Sequence, residues 1–364
     1  GLPGSNMPDW KHLDETTRWH LVDYLKSLAP IFEETEPELV PVAADPTAAR
    51  ADLAKGKAVY EQLGCAACHG VQGRANGTSA AGLVDDWGKP IRPANLTKGW
   101  SYRGGHAPRD IMLRLLTGID GAGMPSYTGA VSPEDAWQLA YYVASLQEPP
   151  HWNLIARAAR INGQLPTTVD DPRWRSAERT DVRLRNAVEP SGEWAEPPIL
   201  ISVSFQVVYN EERIALLATW DDPTKDDGAS ADRLALFLRP PGAQGDVVSL
   251  QAWPYQGAPK LDVSLWSAQT SEAVEAVVET YDGVPQRAGS PALVSNAQYE
   301  DGRWQLLVHR ALRPTSPSGA AVFTPDALHP IAFAIWDGSN PSARAVSPWV
   351  DVIVQSDTAH SASH

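Results

Sequence analysis

Residues 56–70 read GKAVYEQLGCAACHG, and the run Cys65-Ala66-Ala67-Cys68-His69 inside it governs how the rest of the chain is read. In a Cys-x-x-Cys-His pentapeptide, two thiols add across the vinyl groups of a haem and the following His ligates the iron. The chain has only these two cysteines, so they cannot build a disulfide framework and whatever they do, they do together. Three other readings compete. A structural zinc site wants four ligands, and there is no second Cys pair. A thioredoxin-like redox pair would precede a helix in a βαβ setting, which the flanks do not show. A chance pair of buried thiols is the third.

The flanks favour the haem reading. Leu53, Val59, Tyr60 and Leu63 recur at helical spacing before the motif. Downstream, PRDIMLRLLTG carries Ile111, Leu113, Leu115 and Leu116 in a second helical stretch that stops at Gly118. Gly121-Ala122-Gly123-Met124-Pro125 follows, and EDAWQLAYYVASL makes a third helix with Trp137, Leu139, Tyr142 and Leu146. Helix, Cys-Cys-His site, loop, helix, Met loop and helix together resemble a class I cytochrome c domain over residues 52–148. The resemblance implies haem c held covalently by Cys65 and Cys68, with His69 and Met124 as axial ligands. A thioether is a soft, weak donor that favours Fe(II) and raises the potential relative to a bis-His haem. Gly121 and Gly123 are expected to let the backbone pass close to the porphyrin. Met112, inside a helical pattern, reads as packing, and His106 as a loop residue. Trp100 and Arg103 are candidates for the haem propionates.

The opening of the chain repeats the end of that domain. GLPGSNMPDW places Gly1 and Gly4 six and three residues before Met7, and GIDGAGMPSY places Gly118 and Gly121 likewise before Met124. WHLVDYLKSL, residues 19–28, matches WQLAYYVASL, residues 137–146, with Trp, Leu, Tyr, Ser and Leu in step. Residues 1–34 therefore read as the C-terminal part of a first haem domain, with Met7 as its axial ligand. The expectation is a longer native polypeptide with a second haem c; the alternative is a remnant that binds no haem. An acidic, Pro-rich linker at 35–51 leads into the second domain.

After Leu146 the character changes. Residues 149–188 read as a connector, and 189–356 as alternating strands: ILISVSFQVVY, RIALLATW, DRLALFLR, VVSLQAW, LDVSLW, RWQLLVHRAL, PIAFAIW and WVDVIV. Turn-forming stretches such as DDPTKDDGAS and DGSNPSA separate them, which predicts an antiparallel β-sandwich with a short tail at 357–364. The fold class expected is thus multidomain, α-helical followed by all-β. Asp221 and Asp222 read as turn residues in contact with solvent. The order RIALLATWDDPT, LDVSLW, YEDGRWQLLVHRAL and PIAFAIWDGSNPSARAVSPWVDV resembles the haem-binding gamma subunit of ethylbenzene dehydrogenase. Related subunits serve other molybdenum enzymes of the dimethyl sulfoxide reductase family. That family's sandwich carries a haem b on a Met and a Lys. Here no Met follows Met124, and Arg344 stands where the Lys would fall; an arginine stays protonated and does not ligate iron. Substitutes for a haem b would be Lys260, His309 and His329. The other expectation is a sandwich without haem that serves as a docking module.

Composition narrows the function. The chain of 364 residues is 43% hydrophobic and 20% charged, with a net charge of −14. That charge argues against nucleic acid and anionic membranes as partners, and no apolar run is long enough to span a bilayer. No nucleophile triad, phosphate loop or carboxylate dyad stands out, so the chain reads as an electron carrier and not as an enzyme. The first reading is an electron-transfer subunit of a periplasmic or otherwise extracytoplasmic oxidoreductase complex. Its expected partners are catalytic subunits bearing molybdenum and iron–sulfur centres, and another redox carrier. The second reading makes the sandwich a carbohydrate- or surface-binding module that targets electrons to an extracellular substrate. In that case exposed aromatic platforms are needed, whereas Trp220, Trp266 and Trp336 sit in strand patterns that point to the core.

Overall fold

The computed structural model describes residues 9–29, 31, 39–45, 51–187, 200–239, 250, 253, 260–278, 292–315, 320–340 and 344–355. The chain divides into two compact units, Gly1–Pro149 and Pro150–His364.

The first unit is helical. Helix α1 (Glu15–Ser27) starts where the Asp14 side chain accepts from Thr17 N at 2.9 Å, and none of its residues is buried. The haem-motif region is framed by α2 (Leu53–Gln62), the single turn α3 (Ala66–His69), α4 (Pro108–Thr117) and α5 (Pro133–Ser145). Each longer helix has a local start signal: Asp52 accepts from Lys55 N, Pro108 opens α4, and Ser132 accepts from Asp135 N. Their apolar stripes meet in one core of Val59, Tyr60, Ile111, Met112, Leu115, Leu116, Trp137, Leu139 and Val143. At the α2–α5 crossing, a Cβ on Gly56 would fall 2.2 Å from the carbonyl oxygen of Gln138. Only glycine lets the two helices approach that closely. Part of the stretch read as a linker lies on this unit. Val40 and Val42 pack against the core, and Trp137 Nε1 donates to Ala43 O at 3.2 Å.

The second unit is a β-sandwich. One sheet runs β2 (Ala159–Arg160), β5 (Ser202–Tyr209), β6 (Arg213–Asp221), β11 (Arg303–Ala311) and β10 (Ala292–Glu300), with β3 (Thr180–Arg183) also on β5. The other runs β1 (Ile155–Arg157), β14 (Val350–Ile353), β12 (Leu328–Trp336), β7 (Arg233–Leu238), β8 (Leu261–Ser267) and β9 (Glu272–Val278). On its far side, β13 (Arg344–Val346) pairs with β12 and with β4 (Arg185–Asn186). Strand β10 joins the two: residues 292 and 293 pair with β9, and the remainder pairs with β11. Between the sheets lie Phe205, Trp220, Trp304 and Leu306 from one side, and Leu234, Trp266, Ile331 and Phe333 from the other. Period-two alternation puts alternate residues of each strand there.

Two differences from the sequence reading have physical reasons. Residues 149–188, read as a connector, contribute four short strands. Their isolated Arg and Asn positions hid any alternation, and β1 is parallel to β14, which no hairpin signal announces. Asp221 and Asp222, read as solvent contacts, are not. Asp221 closes β6 and pairs with Arg303 at 2.6 Å, and Asp222 is fully buried. The turn after β6 folds inward over the sandwich rim, and composition alone cannot show that. VVSLQAW lies largely outside the described residues.

Candidate haem site

The motif sits on α3, which follows Gly64 in a left-handed conformation (φ 73°). Cys65 and Cys68 are both free thiols and half-buried, and burial pushes the Cys65 thiol up to about 11. The loop after the motif folds back on it. Ala75 N donates to His69 O at 2.8 Å, Gly77 N to Cys68 O at 3.2 Å and Ser79 N to Ala67 O at 2.8 Å. Gly77 has no room for a side chain, since a Cβ there would lie 2.2 Å from Ala67 O. Tyr60 reaches down from α2 and donates its hydroxyl to Gly70 O at 2.6 Å, closing the loop from the core side.

His69 is oriented by the backbone. Its Nδ1 lies 2.9 Å from Ala94 O. A carbonyl only accepts, so Nδ1 carries the proton and Nε2 keeps its lone pair for a metal. Burial of the ring holds its pKa below the ordinary histidine value, which keeps the imidazole neutral, as ligation requires.

Met124 lies on a loop tied to the end of α4. Ile119 N donates to Met124 O at 3.0 Å, Tyr127 N to Leu115 O at 2.9 Å and Thr128 Oγ1 to Leu116 O at 2.7 Å. Met124 and Tyr127 pack on the same core as Cys65 and Ala66. Burial first, and then the nearby thiols of Cys65 and Cys68, raise the Tyr127 hydroxyl pKa. Gly118 and Gly121 both have positive φ, and a Cβ on Gly121 would meet the Trp87 ring at 3.0 Å. A Cβ on Gly123 would meet only Leu83, at an ordinary 3.6 Å. Met112 is 1% exposed and packs in the core. Met7 lies outside the described residues.

The donor set fits a covalent haem c: two free thiols one turn apart, a neutral imidazole with a fixed tautomer, and a thioether on the same core. Sequence reasoning missed Gly56, Tyr60 as a loop tether, and Ala94. Gly56 and Tyr60 stand in the helical pattern before the motif, while Ala94 acts through a carbonyl and carries no side-chain signal.

Lys260, His309 and His329 are dispersed over the second unit. Lys260 is exposed immediately before β8. His309 is buried on the outer face of its sheet, with Nε2 bonded to Pro166 O. His329 is the second residue of β12, its Nε2 lies 2.7 Å from Thr324 O, and its ring packs 4.8 Å from that of Phe323. Trp220 and Trp266 are 1% exposed, and Trp336 is half-buried beneath the Arg233 guanidinium at 4.9 Å.

A cytochrome c family model matches residues 53–147. A Haloferax mediterranei protein bearing the name respiratory nitrate reductase heme subunit ORF7 is 24% identical over 181 residues, 48% of this chain and 64% of its own length. The chain therefore spans slightly under two thirds of that relative. Among solved structures, a chain of the Kuenenia stuttgartiensis reducing HAO-like protein complex is 41% identical, covering 41% of this chain and 68% of its own, with a TM-score of 0.38. A family 9 carbohydrate binding module from Caldicellulosiruptor kristjanssonii, solved with glucose, is 8% identical over 56% of this chain and 97% of its own, with a TM-score of 0.36. With the helical core, the Cys-Cys-His turn and the family match together, residues 53–147 form a cytochrome c domain, and the chain continues into a β-sandwich.

Proposed function

We propose that the protein is an electron-transfer subunit that passes electrons between an extracytoplasmic oxidoreductase and another redox carrier. Cys65 and Cys68 hold a haem c, and His69 and Met124 ligate its iron. The bound haem supplies a one-electron couple. The chain fixes the His69 tautomer through Ala94 O and delivers a thioether from a loop anchored on α4, with Met124 packed against the hydrophobic core. With His69 and Met124 both donating, a bound haem iron would have no open site for substrate, which suits transfer and not catalysis. The observation that carries this reading is the neutral, oriented His69 on a Cys-x-x-Cys-His turn whose core also receives Met124.

The partner is a molybdenum and iron–sulfur enzyme of the respiratory reductase kind. The name of the Haloferax relative and the resemblance of the sandwich to the ethylbenzene dehydrogenase gamma subunit support this. The sandwich serves as the docking module. His309 lies on β11 and His329 on β12, strands of different sheets, which speaks against a haem b held between them. Trp220 and Trp266 are consumed by the core, so they form no sugar-stacking platform. Covalent haem attachment supports a location in the periplasm or an equivalent compartment; among the described residues no helix is long and apolar enough to cross a membrane.

The test is purification of the native complex through this chain, with metal analysis and a pyridine haemochrome spectrum. Co-purification of stoichiometric molybdenum with a c-type spectrum is expected. Retention on polysaccharide with no molybdenum would overturn the assignment, and a b-type signal would overturn the docking role of the sandwich.

A further inference from the structure

At one rim of the sandwich, Asp222, Asp232 and Asp337 converge from the end of β6, the start of β7 and the end of β12. One carboxylate oxygen of each lies within 4.8 Å of the others. Asp222 and Asp232 are fully buried and Asp337 is 2% exposed. Asp226 lies in the same turn, where its backbone N–H donates to Asp232 Oδ2 at 2.9 Å.

The known contacts do not neutralise this cluster. Asp232 accepts from Asp226 N, from Trp304 Nε1 at 2.9 Å and from Gly338 N at 2.8 Å, which fixes its carboxylate rigidly. Asp222 Oδ1 accepts from Thr224 N at 3.2 Å, and Asp337 Oδ1 from Ser339 N at 2.8 Å. The second oxygens of Asp222 and Asp337 are buried with no hydrogen-bond partner. Among the described residues no lysine or arginine pairs with any of the three; the nearby cations are spent on Asp221 and Asp227. Several buried carboxylates without a counter-charge are costly unless a cation or protons compensate them. Two unpartnered buried oxygens in one cluster leave lone pairs that a cation can take up.

We propose that Asp222, Asp232 and Asp337 bind a calcium ion that ties together the three loops of this rim. The donors are all hard oxygens, which excludes the thiolate- and imidazole-seeking metals. Calcium accepts six to eight oxygens in flexible geometry, whereas magnesium keeps several waters, for which a site this buried leaves little access. Backbone carbonyls can supply further oxygens. Ser230 O and the Asp226 side chain crowd Gly338 so closely that a Cβ there would lie 2.2 Å from Ser230 O. The site abuts the Trp220–Trp304–Trp266 ring cluster, with centroids 5.0–6.1 Å apart.

The indole of Trp304, bonded to Asp232, provides the readout. The full chain is stripped over chelating resin and titrated with terbium, with excitation through tryptophan and competition by calcium. Sensitised emission that calcium displaces and magnesium does not is the expected result, together with one calcium per chain in protein purified without chelator. Asp222→Asn and Asp337→Asn should each weaken calcium binding by on the order of tenfold or more, since affinity follows the number of charged ligands. Their haem spectrum and far-UV circular dichroism should be unchanged. If these variants fail to fold, thermal melts of the wild-type chain decide: a chelator should lower the sandwich transition and calcium should restore it. A folded wild-type chain with no calcium, no sensitised emission and no chelator response would overturn the site and leave the carboxyls protonated. Undiminished binding in both variants would overturn the ligand assignment.

Discussion

The Nδ1 of His69 lies 2.9 Å from the carbonyl oxygen of Ala94, so a backbone group outside the motif fixes which nitrogen of the motif histidine is free. Tautomer fixing of this kind orients a ligand and raises its basicity. His69→Ala should keep haem covalently attached through Cys65 and Cys68, because the thioether bonds do not use the imidazole. It should lose the low-spin absorption spectrum, and exogenous imidazole should restore it. A low-spin spectrum in the variant without added imidazole would contradict the assignment of His69.

Met124 is the second half of that argument, and its readout is potential. The thioether favours the reduced iron, so Met124→His should lower the midpoint potential by a fraction of the roughly 0.8 V span that axial ligands command. Redox titration followed in the Soret band measures it. An unchanged potential would mean that Met124 is a packing residue on the core it shares with Cys65.

Gly56 sets the approach of α2 to α5. The alanine methyl of Gly56→Ala would fall 2.2 Å from Gln138 O and 2.6 Å from Tyr142 Cβ, and backbone cannot rotate away as a side chain can. Overpacking of a dense core costs about 1–3 kcal/mol, and this contact sits at the severe end. The thermal transition of the haem-bearing unit should fall by several degrees, while the sandwich transition stays put. Equal stability would show that the crossing is looser than the structure has it.

Much of the helical unit was legible because its signals are local. The Cys-Cys-His spacing, the helical recurrence of Val59, Ile111, Leu115, Trp137 and Leu139, and Gly118 after α4 can be read one turn at a time. The strands β5, β6, β7, β8, β11 and β12 were legible from alternation. Strand β10 was not, because ALVSNAQYE mixes polar and apolar residues on both faces while it crosses between sheets. The buried state of Asp222 was equally hidden. Trp-Asp-Asp-Pro reads as a surface turn, and only the convergence of three sequence-distant loops takes it out of water. Ala94 shows the same limit at the haem site, where the decisive group is a carbonyl.

Inside the sandwich, Arg310 faces two carboxyls at once: Asp262 at 2.9 Å and Glu275 at 2.7 Å, all three at most 3% exposed at the side chain. One guanidinium cannot neutralise both. Burial pushes the Glu275 carboxyl up to about 7; Arg310 pulls it down, and the Asp262 charge raises it further. An unfolded glutamate titrates near ~4.3. Between roughly 4.3 and 7 the folded chain therefore holds a proton that the unfolded chain has released, and stability falls as pH rises through that window. The loss is on the order of a few kcal/mol at most, because Arg310 can reorient toward the new charge. Glu275→Gln keeps the shape and removes the titration. Its stability relative to wild type, from urea melts, should improve from pH 5 to about pH 7 and level off above it, and the shared titrations of other groups cancel in that difference. Asp262→Asn should destabilise the chain, and most at low pH. It removes the charge that balances Arg310 and should cost about 3–5 kcal/mol while Glu275 is protonated, easing as pH rises and Glu275 ionises to take its place. A pH-independent difference between Glu275→Gln and wild type would show that Glu275 is ionised throughout, with its charge shared across Arg310 from the start.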